Sequence, residues 1–365
     1  MRIAASRVNK IAASLLFLLP FWAEAQLNNA FFTPHAPRQA FESEALFFHK
    51  NSEYFDPVAP GQTLLGAQVK ALWNRDLGGQ STISGGLLFQ GLYGAPTNLQ
   101  WLNLQSPIRL FPLLQLRYQR KYQRLYLGNT QGPFSHGLPE ILMNYDWAWN
   151  RPVEYGIDYH LFRSKTLFNT WIDWRQAAVA KESRQEIINA GIYVRQDVSS
   201  LGQGTLSLPI HALVYHQGGE NLAQRKPLVT QFNLSTGIQW KSPHWELQSL
   251  WLQSQDASPQ LRQPYRDGWA SCSWIQYRSE SWEQALVFVR SHEFSAPLGA
   301  PLMSNVDRAQ PYTTVRDRAM IQYRLHTTRY LPLEGTQLDA RLEPMYDFRQ
   351  KRFMVSAAAY VKVSF

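Results

Sequence analysis

The sequence predicts an all-β chain whose strands close into a transmembrane antiparallel β-barrel. Segments of about ten residues alternate between apolar and polar side chains, and this alternation recurs along most of the chain. Aromatic residues make up 13% of the 365 residues and charged residues 17%, which is below the roughly 25% of soluble domains. After position 25 there is no apolar run of about 18 residues, the length that a membrane-spanning helix requires. These observations exclude a disordered chain, a coiled coil and a helical membrane protein.

The N-terminal residues are typical of an export signal. A basic start is followed by an apolar stretch over 11–22 and by a small-x-small cleavage site, Ala23-Glu24-Ala25. We therefore predict a signal peptide over 1–25, a periplasmic lead-in over 26–40 and the barrel over 41–365. A buried N-terminal helix is the alternative for the first segment. An exported chain with the single cysteine Cys272 cannot form an intrachain disulfide.

Alternation is clearest in the last strand of the sequence. One of its faces carries only apolar side chains: Phe353, Val355, Ala357, Ala359, Val361, Val363 and Phe365. Similar patterns predict about 16 strands, with 14 as the lower limit, over 41–50, 62–76, 81–93, 107–119, 122–130, 153–162, 165–176, 185–197, 205–217, 228–240, 245–256, 266–278, 282–292, 316–326, 335–347 and 352–365. Most of these segments have the length of a tilted transmembrane strand.

The connections between these strands differ in length at the two ends of the barrel. If the last strand ends in the periplasm, the periplasmic turns are short and the extracellular loops are longer, except for 348–351. Outward aromatic residues fall near both strand ends, as in the aromatic girdles of membrane barrels. A large soluble β-sandwich or propeller is the alternative, but the sequence contains no blade-length repeat.

The signal peptide, the strand rhythm and the ending Tyr360-Val361-Lys362-Val363-Ser364-Phe365 resemble those of Gram-negative outer-membrane β-barrel proteins, and the strand number is similar to that of the general porins. This resemblance implies a barrel in the bacterial outer membrane, in contact with its lipid. It also implies that Phe365 is part of the assembly signal read by the barrel-assembly machinery. No subfamily is identified from these features.

Charged residues on the inward faces are the candidate selectivity residues of a lumen. They are Lys70, Arg109, Arg117, Arg124, Glu154, Asp158, Asp173, Arg175, Arg318, Arg324, Arg341 and Lys362. Bases outnumber acids in this set, and the acids lie on strands far from most of the bases. The sequence therefore favours a transverse field and a preference for anions. A mixed, salt-bridged lining without selectivity is the alternative.

The loop over 131–152 is the candidate constriction or docking element. It follows the fifth strand, as does the pore-narrowing loop of general porins, and it carries Glu140, Asp146, Trp147 and Trp149. It lacks the Pro-Glu-Phe-Gly-Gly stretch of that family. An inward fold is favoured, and a plug or an external ligand-binding surface are the alternatives.

The predicted function is a porin-like channel for passive diffusion of small polar or anionic solutes. A subunit or receptor of a larger outer-membrane transport or secretion assembly is the alternative. The sequence does not determine the oligomeric state, and a homotrimer and a larger envelope complex both stay open. Nucleic acid is not expected as a partner, because the bases are spread over many strands. No cofactor and no metal are expected.

An outer-membrane hydrolase is the third hypothesis, and it is weaker than the other two. Histidines lie near acids or hydroxyls at three places: His136 beside Ser135, His160 near Asp158, and His211 on one strand face with Ser207 and Tyr215. Because no motif fixes the geometry of any of them, the sequence predicts no catalytic residue and no enzyme.

Overall fold

Sixteen antiparallel strands form a closed barrel in which each strand pairs with the next and the first pairs with the last. The computed structural model describes residues 40–93, 108–177, 185–218, 227–307, 313–333 and 335–365. The predicted signal peptide and all of the lead-in except residue 40 lie outside these described residues. In the part of the chain that the structure describes, no helix is long and apolar enough to cross a bilayer.

The strands follow the sequence in order and are antiparallel throughout. They are β1 (Phe41–Glu53), β2 (Gln62–Gly78), β3 (Ser81–Tyr93), β4 (Ile108–Arg120), β5 (Gln123–Asn129), β6 (Tyr155–Phe162), β7 (Thr166–Gln176), β8 (Glu186–Leu201), β9 (Gly204–Gly218), β10 (Val229–Lys241), β11 (Trp245–Asp256), β12 (Asp267–Arg278), β13 (Trp282–His292), β14 (Asp317–Tyr330), β15 (Thr336–Asp347) and β16 (Arg352–Ser364). The predicted fold class is confirmed.

Alternating side chains decide which face of each strand meets lipid. On β16, Phe353 is exposed on the outer face, while Met354 and Tyr360 are buried inside. The strand closes the barrel against β1, where Phe47 lies opposite Val361. Closure pairs the backbone groups of β16 on both edges, which a strand in hydrocarbon requires.

Turns at one end of the barrel are short, and the loops at the other end are longer. The turn between β2 and β3 contains Gly79 at φ 58° and Gln80 at φ 75°, the left-handed conformations that tight hairpins need. The short connection over 348–351 at the loop end is also present, with Lys351 at φ 52°. The predicted division between short turns and longer loops is confirmed.

Two loops fold back into the barrel. The first plug loop, residues 130–154, joins β5 to β6 and contains the short helix α1 (Trp147–Asn150). The second plug loop, residues 293–307, follows β13. Their backbones bond directly: Asn144 N donates to Leu298 O at 2.7 Å, and Ala300 N donates to Glu140 O at 2.8 Å. A side chain at Gly299 would collide with Ile141 O, so this approach requires glycine.

The inner wall opposite β5 and β6 is apolar where it meets these loops. Leu250, Leu252, Trp274 and Val287 project inward from β11, β12 and β13 and are buried. They pack in one cluster with side chains of both plug loops, among them Leu142 and Phe294. The expectation of a uniformly polar inner face is therefore wrong for this wall, because its partner is an apolar plug and not water.

Candidate functional site

The first plug loop enters the lumen over the shortest part of the barrel wall. β5 has 7 residues and β6 has 8, whereas β4 has 13 and β8 has 16. The loop closes at its neck, where Thr130 N donates to Glu154 O at 3.1 Å. Gly128, with φ 90°, lies so close to Leu114 O that a Cβ would touch it at 2.1 Å. This glycine ends the ladder with β4 and lets the chain turn inward.

A buried imidazole–carboxylate pair lies directly inside that neck. Nε2 of His136 lies 2.8 Å from Oε2 of Glu154, and the His136 side chain has no exposed surface. The same carboxylate oxygen accepts a hydrogen bond of 2.9 Å from the Thr130 hydroxyl. The His136 ring stacks on the indole of Trp171, with 4.2 Å between ring centroids. Two contacts therefore fix the imidazole in one orientation, and the Thr130 hydroxyl holds the carboxylate that makes one of them.

A second acid–histidine group adjoins this pair on β6 and β7. Asp158 Oδ1 lies 3.0 Å from His160 Nε2 and accepts a hydrogen bond of 2.7 Å from Asn169 Nδ2. The Ser135 hydroxyl is directed to Gly132 O at 2.7 Å and to Asp158 Oδ2 at 3.4 Å. Ser135 is therefore oriented towards a carboxylate, and its described contacts do not include the His136 ring.

Several buried polar atoms in this cluster have no hydrogen-bond partner among the described residues. They are His136 Nδ1, Asn169 Oδ1, Trp171 Nε1 and Asn189 Oδ1. A buried polar atom without a partner costs about 1–3 kcal/mol. We call the group His136, Glu154, Asp158, His160 and Asn169, with Ser135 and Trp171, the imidazole cluster.

Opposing effects act on the pKa of His136. Burial lowers the pKa of the imidazole, but the carboxylates of Glu154, Asp158 and Asp173 and the hydrogen bond to Glu154 raise it. The net result is a pKa above the ordinary value of histidine. The carboxylates therefore make this ring more basic, and its remaining nitrogen, Nδ1, is buried without a hydrogen-bond partner among the described residues.

The predicted lumen residues on strands all lie on the inner wall, and Glu154 lies inside just before β6 begins. On β14 and β15, where several of the inward arginines lie, ion pairs with carboxylates offset the positive charge. Arg318 contacts Asp56 at 2.9 Å and Asp347 at 3.2 Å, and all three side chains are fully buried. Arg341 binds Asp339 at 2.7 Å. The selectivity role of the remaining inward charges, Lys70, Arg109, Arg117, Arg124, Asp158, Asp173, Arg175 and Lys362, stays a prediction.

The four loop residues singled out by sequence all lie inside the barrel. Glu140 forms an ion pair with Arg324 of β14, on the wall opposite the loop's own strands. Asp146 contacts Lys50 of β1. Trp147 and Trp149 are buried, and Trp147 Nε1 donates to Leu298 O at 3.0 Å. This placement favours an inward plug over an external docking surface.

The third predicted histidine group does not come together. The His211 ring stacks on Tyr193, and its Nδ1 lies 3.4 Å from the Ser235 hydroxyl. Ser207 instead donates to Asp197, and Tyr215 donates to Gln217. Among the described residues, no group of three His, Cys, Asp or Glu side chains is arranged to hold a metal ion.

Comparison with known families relates the chain to a family of deacylases. Residues 34–365 match the model of the lipid A 3'-O-deacylase-type family. The chain belongs to this family. The prediction that the chain is not an enzyme is contradicted by this match, since the family is described by a deacylation reaction. No curated protein sequence matches the chain.

Solved structures with the same fold are outer-membrane porins. A BenF-like porin from Pseudomonas fluorescens Pf-5 has a TM-score of 0.52 at 10% identity, and the match covers 89% of this chain and 98% of that one. The outer-membrane protein OpdK from Pseudomonas aeruginosa has a TM-score of 0.52 at 8% identity, with coverage of 89% and 98%. These matches establish a porin-like barrel, and the resemblance predicted from sequence is confirmed at the level of the fold.

Sequence reasoning paired His136 with its neighbour Ser135 and missed its actual partner, Glu154. Eighteen residues separate the two along the chain. The available signal was positional: both residues flank the same loop, and a loop that folds inward returns its two ends to one place. The contact between Trp171 and His136 had no signal in the sequence.

Proposed function

We propose that this chain is an outer-membrane ester hydrolase that removes an acyl chain from lipid A or a closely related acylated saccharide. The family description supports the reaction class. The observation that carries the proposal within this chain is the buried His136–Glu154 pair, whose second imidazole nitrogen lacks a partner among the described residues. An oriented imidazole next to a carboxylate is the usual general base for acyl transfer.

His136 acts as the general base in this proposal. With its Nε2–H donated to Glu154, its Nδ1 carries the free lone pair and accepts a proton from an attacking water. The water oxygen adds to the ester carbonyl carbon, and the bond to the sugar oxygen then breaks. His136 returns the proton to the departing sugar oxygen, so that the products are a fatty acid and a free hydroxyl.

Water is favoured over Ser135 as the nucleophile. The Ser135 hydroxyl is directed to Gly132 O and to the Asp158 carboxylate, and not to the imidazole that would have to activate it. Glu154 acts as a positioning residue, because it holds the tautomer and orientation of His136 without reaching the ester. Trp171 fixes the ring plane by stacking.

The imidazole cluster is closed as it stands. His136 has no exposed surface, and its ring lies between the first plug loop and the inner wall. A substrate therefore reaches Nδ1 only when the loop shifts. Exclusion of bulk water from the closed site would strengthen its electrostatic contacts.

The proposal is tested by incubating the refolded protein with purified lipid A in mixed micelles and following the lipid by mass spectrometry. The expected product has lost the mass of one acyl chain, and fragmentation should place the free hydroxyl at the 3' position. Ser135→Ala should retain activity within a few-fold of wild type. Lipid A that stays intact under conditions in which the barrel is folded would overturn the proposal, and inactivity of Ser135→Ala alone would replace water by serine as nucleophile.

Passive diffusion of small polar or anionic solutes is the second candidate function. It is favoured by inward polar groups away from the plug: Lys70 and Arg195, which pair with Glu44 and Asp197, keep 27% and 23% of their side-chain surface exposed. The plug loops limit such a path, since they pack from one wall to the other. A homotrimer or larger assembly, and recognition by the barrel-assembly machinery, remain predictions.

Planar-bilayer recordings separate the two candidates. The hydrolase proposal expects a low conductance for wild type and at least about a tenfold rise when residues 138–149 are replaced by a short Gly-Ser linker. An anion-selective conductance of wild type, unchanged by this replacement, would support the channel instead.

A further inference from the structure

Among the described residues, strand pairing in the barrel wall is interrupted beside β5 and β6. A tilted strand needs about 9–11 residues to cross the hydrocarbon region. β5 and β6 have 7 and 8 residues, so this hairpin is too short to cross it. The chain leaves the wall at Asn129 and returns at Tyr155, with the whole first plug loop inside. We call the space above this short hairpin, between β4 and β7, the wall notch.

Both neighbouring strands continue past the hairpin. β4 pairs with β5 only from Gln115 onward, so its residues 108–114 have a strand partner on the β3 side alone among the described residues. β7 pairs with β6 no further than Asp173, and Trp174 and Gln176 pair only with β8. Pro112 lies within the free stretch of β4, as expected of an edge position that lacks a neighbouring ladder.

Three arginines surround this notch. Arg109 lies on the free stretch of β4, Arg175 lies near the free end of β7, and Arg151 lies on the loop between them. Arg151 donates to Arg175 O at 3.0 Å, and Arg109 donates to Asn150 O at 3.5 Å. The Arg175 guanidinium lies over the Trp147 ring at 4.2 Å, and its Nε has no partner among the described residues.

Carboxylates balance this positive charge only in part. Asp173 and Glu154 lie on the inner side of the arginines, but both are already engaged. Asp173 accepts hydrogen bonds from Tyr155 N at 3.2 Å and from Asn189 at 3.3 Å. Glu154 is held by His136 and Thr130. Three guanidinium groups at one opening outnumber these two carboxylates, which keep their charge while they accept hydrogen bonds, so the opening stays net positive and is complementary to a phosphate or another anion.

The outer edges of the notch are apolar. Leu110 and Leu114 on β4 and Ile157 on β6 project outward and are exposed. Trp174, on the outer face of β7, is half exposed next to Arg175. The Tyr155 hydroxyl bridges the notch by donating to Pro112 O at 3.1 Å. Apolar edges outside and cations inside match a lipid whose acyl chains lie in the membrane and whose head group carries anions.

We infer that the wall notch is the lateral entrance for the substrate, and that Arg109, Arg151 and Arg175 bind a phosphate of its head group. This inference rests on the proposed hydrolase function for the identity of the lipid. It adds a binding site and a direction of entry, from the outer leaflet through the wall. Asp173 joins the notch to the imidazole cluster, because Tyr155 N donates to it and Tyr155 directly follows Glu154. A phosphate held at the arginines therefore lies beside the acids that flank His136.

Native mass spectrometry in neutral detergent micelles tests the binding site without requiring turnover. The probes are lipid A with both phosphates, the same lipid after removal of its phosphates, and inorganic phosphate as competitor. The variant is Arg109→Gln combined with Arg151→Gln, which leaves the stacked Arg175 in place. The matched control is Arg290→Gln, an exposed arginine on β13. Heat-modifiable migration on gels verifies that each barrel is folded.

We expect the double variant to lose at least about tenfold in affinity for phosphorylated lipid A, with little change for the dephosphorylated lipid. The control should bind both lipids as wild type does. Equal binding of the two lipids by wild type, or equal loss in the control, would overturn the inference. Displacement of the lipid by millimolar inorganic phosphate would show that the site is a free-phosphate site and would likewise overturn it.

The outcome is independent of catalysis. If lipid A is hydrolysed but the arginine substitutions do not change its affinity, the inferred entrance is wrong and the proposed function is retained. If the arginine substitutions lower the affinity for phosphorylated lipid A but no lipid is cleaved, the proposed function is wrong and the inferred binding site is retained. Tyr155→Phe sharpens the test, because loss of the bridge to Pro112 should speed lipid association by a few-fold while leaving the affinity of the arginines for phosphate in place.

Discussion

Two of the buried imidazole–carboxylate pairs inside the barrel, His136–Glu154 and His326–Glu343, differ in their surroundings. His136 and Glu154 lie 2.8 Å apart next to the short hairpin of β5 and β6. His326 and Glu343 lie 2.9 Å apart on β14 and β15, two strands that pair along most of their length. Both rings keep one nitrogen without a partner among the described residues. The pairs alone therefore do not distinguish a catalytic site from a structural one.

What separates them is the charge and the opening around each pair. Beside His326, Arg324 is bound to Glu140 of the first plug loop and to Gln322, so this wall anchors the plug. Beside His136, the acids Asp158 and Asp173 raise the pKa of the ring, and the wall notch lies next to Glu154. Under the proposed function, the β14–β15 wall contributes stability and the β6–β7 wall contributes chemistry.

The largest expected effect is on the free energy of unfolding, for a substitution at Arg318 on the β14–β15 wall. Arg318→Gln removes the partner of two fully buried carboxylates, Asp56 and Asp347, and should lower the free energy of unfolding by about 3–5 kcal/mol. Urea unfolding in lipid vesicles measures this change. The control Arg349→Gln, on the exposed 348–351 loop, should change stability by less than about 0.5 kcal/mol. A loss for Arg318→Gln no larger than for the control would contradict a structural role.

The next effect is on turnover, at the imidazole cluster. Glu154→Gln keeps a hydrogen-bond acceptor for His136 but removes the charge that supports the protonated ring. We expect Glu154→Gln to lose about 100-fold in lipid A deacylation and to keep the urea midpoint of wild type, whereas the matched control Glu343→Gln should keep its activity. Should both glutamine variants lose the same activity, the two walls would not differ in function.

The pH dependence of deacylation provides a smaller effect with a defined sign. A general base must be neutral, so activity should rise with pH as His136 loses its proton. Because nearby carboxylates raise the pKa of His136, the half-maximal point of the acidic limb should lie at a higher pH than for an ordinary histidine. Glu154→Gln removes one of these charges and should shift that point to lower pH. A limb that is unmoved by the substitution would show that another group titrates.

The smallest expected effect is on assembly of the whole barrel, which both walls require. Phe365 N donates to Ser43 O at 2.9 Å, which seals the last residue against β1. Phe365→Ala should reduce the assembled, heat-modifiable barrel in cells by a few-fold, because it removes the proposed assembly signal. Normal assembly of this variant would remove Phe365 from that role.

The sequence predicts the barrel well because alternation is local. Every residue of β16 that was assigned to a face lies on that face. An inward fold of the first plug loop was favoured by its length, composition and position, with a plug or an external ligand-binding surface as the alternatives. Pairing inside the lumen is not local: Asp56 meets Arg318 across 262 positions, and Glu140 meets Arg324 across 184. Such contacts depend on barrel size and loop path, which no short pattern encodes.

The candidate site was only partly visible for the same reason. The sequence marked His136, Asp158 and His160, but Glu154 was assigned to pore selectivity. The sequence did not predict the wall notch. β5 and β6 are each two residues shorter than the predicted strands, and a difference of this size is within the uncertainty of a predicted strand end. The apolar inner wall at Leu250 and Leu252 was missed because its partners belong to loops distant in sequence.

The central claim is that the β6–β7 wall is the catalytic one, and two matched histidine variants test it most directly. Release of fatty acid from lipid A is measured for His136→Gln and His326→Gln, each verified as a folded barrel. The account predicts a loss of at least about 100-fold for His136→Gln and a change of less than about threefold for His326→Gln. Full activity of His136→Gln, or a loss confined to His326→Gln, would contradict it.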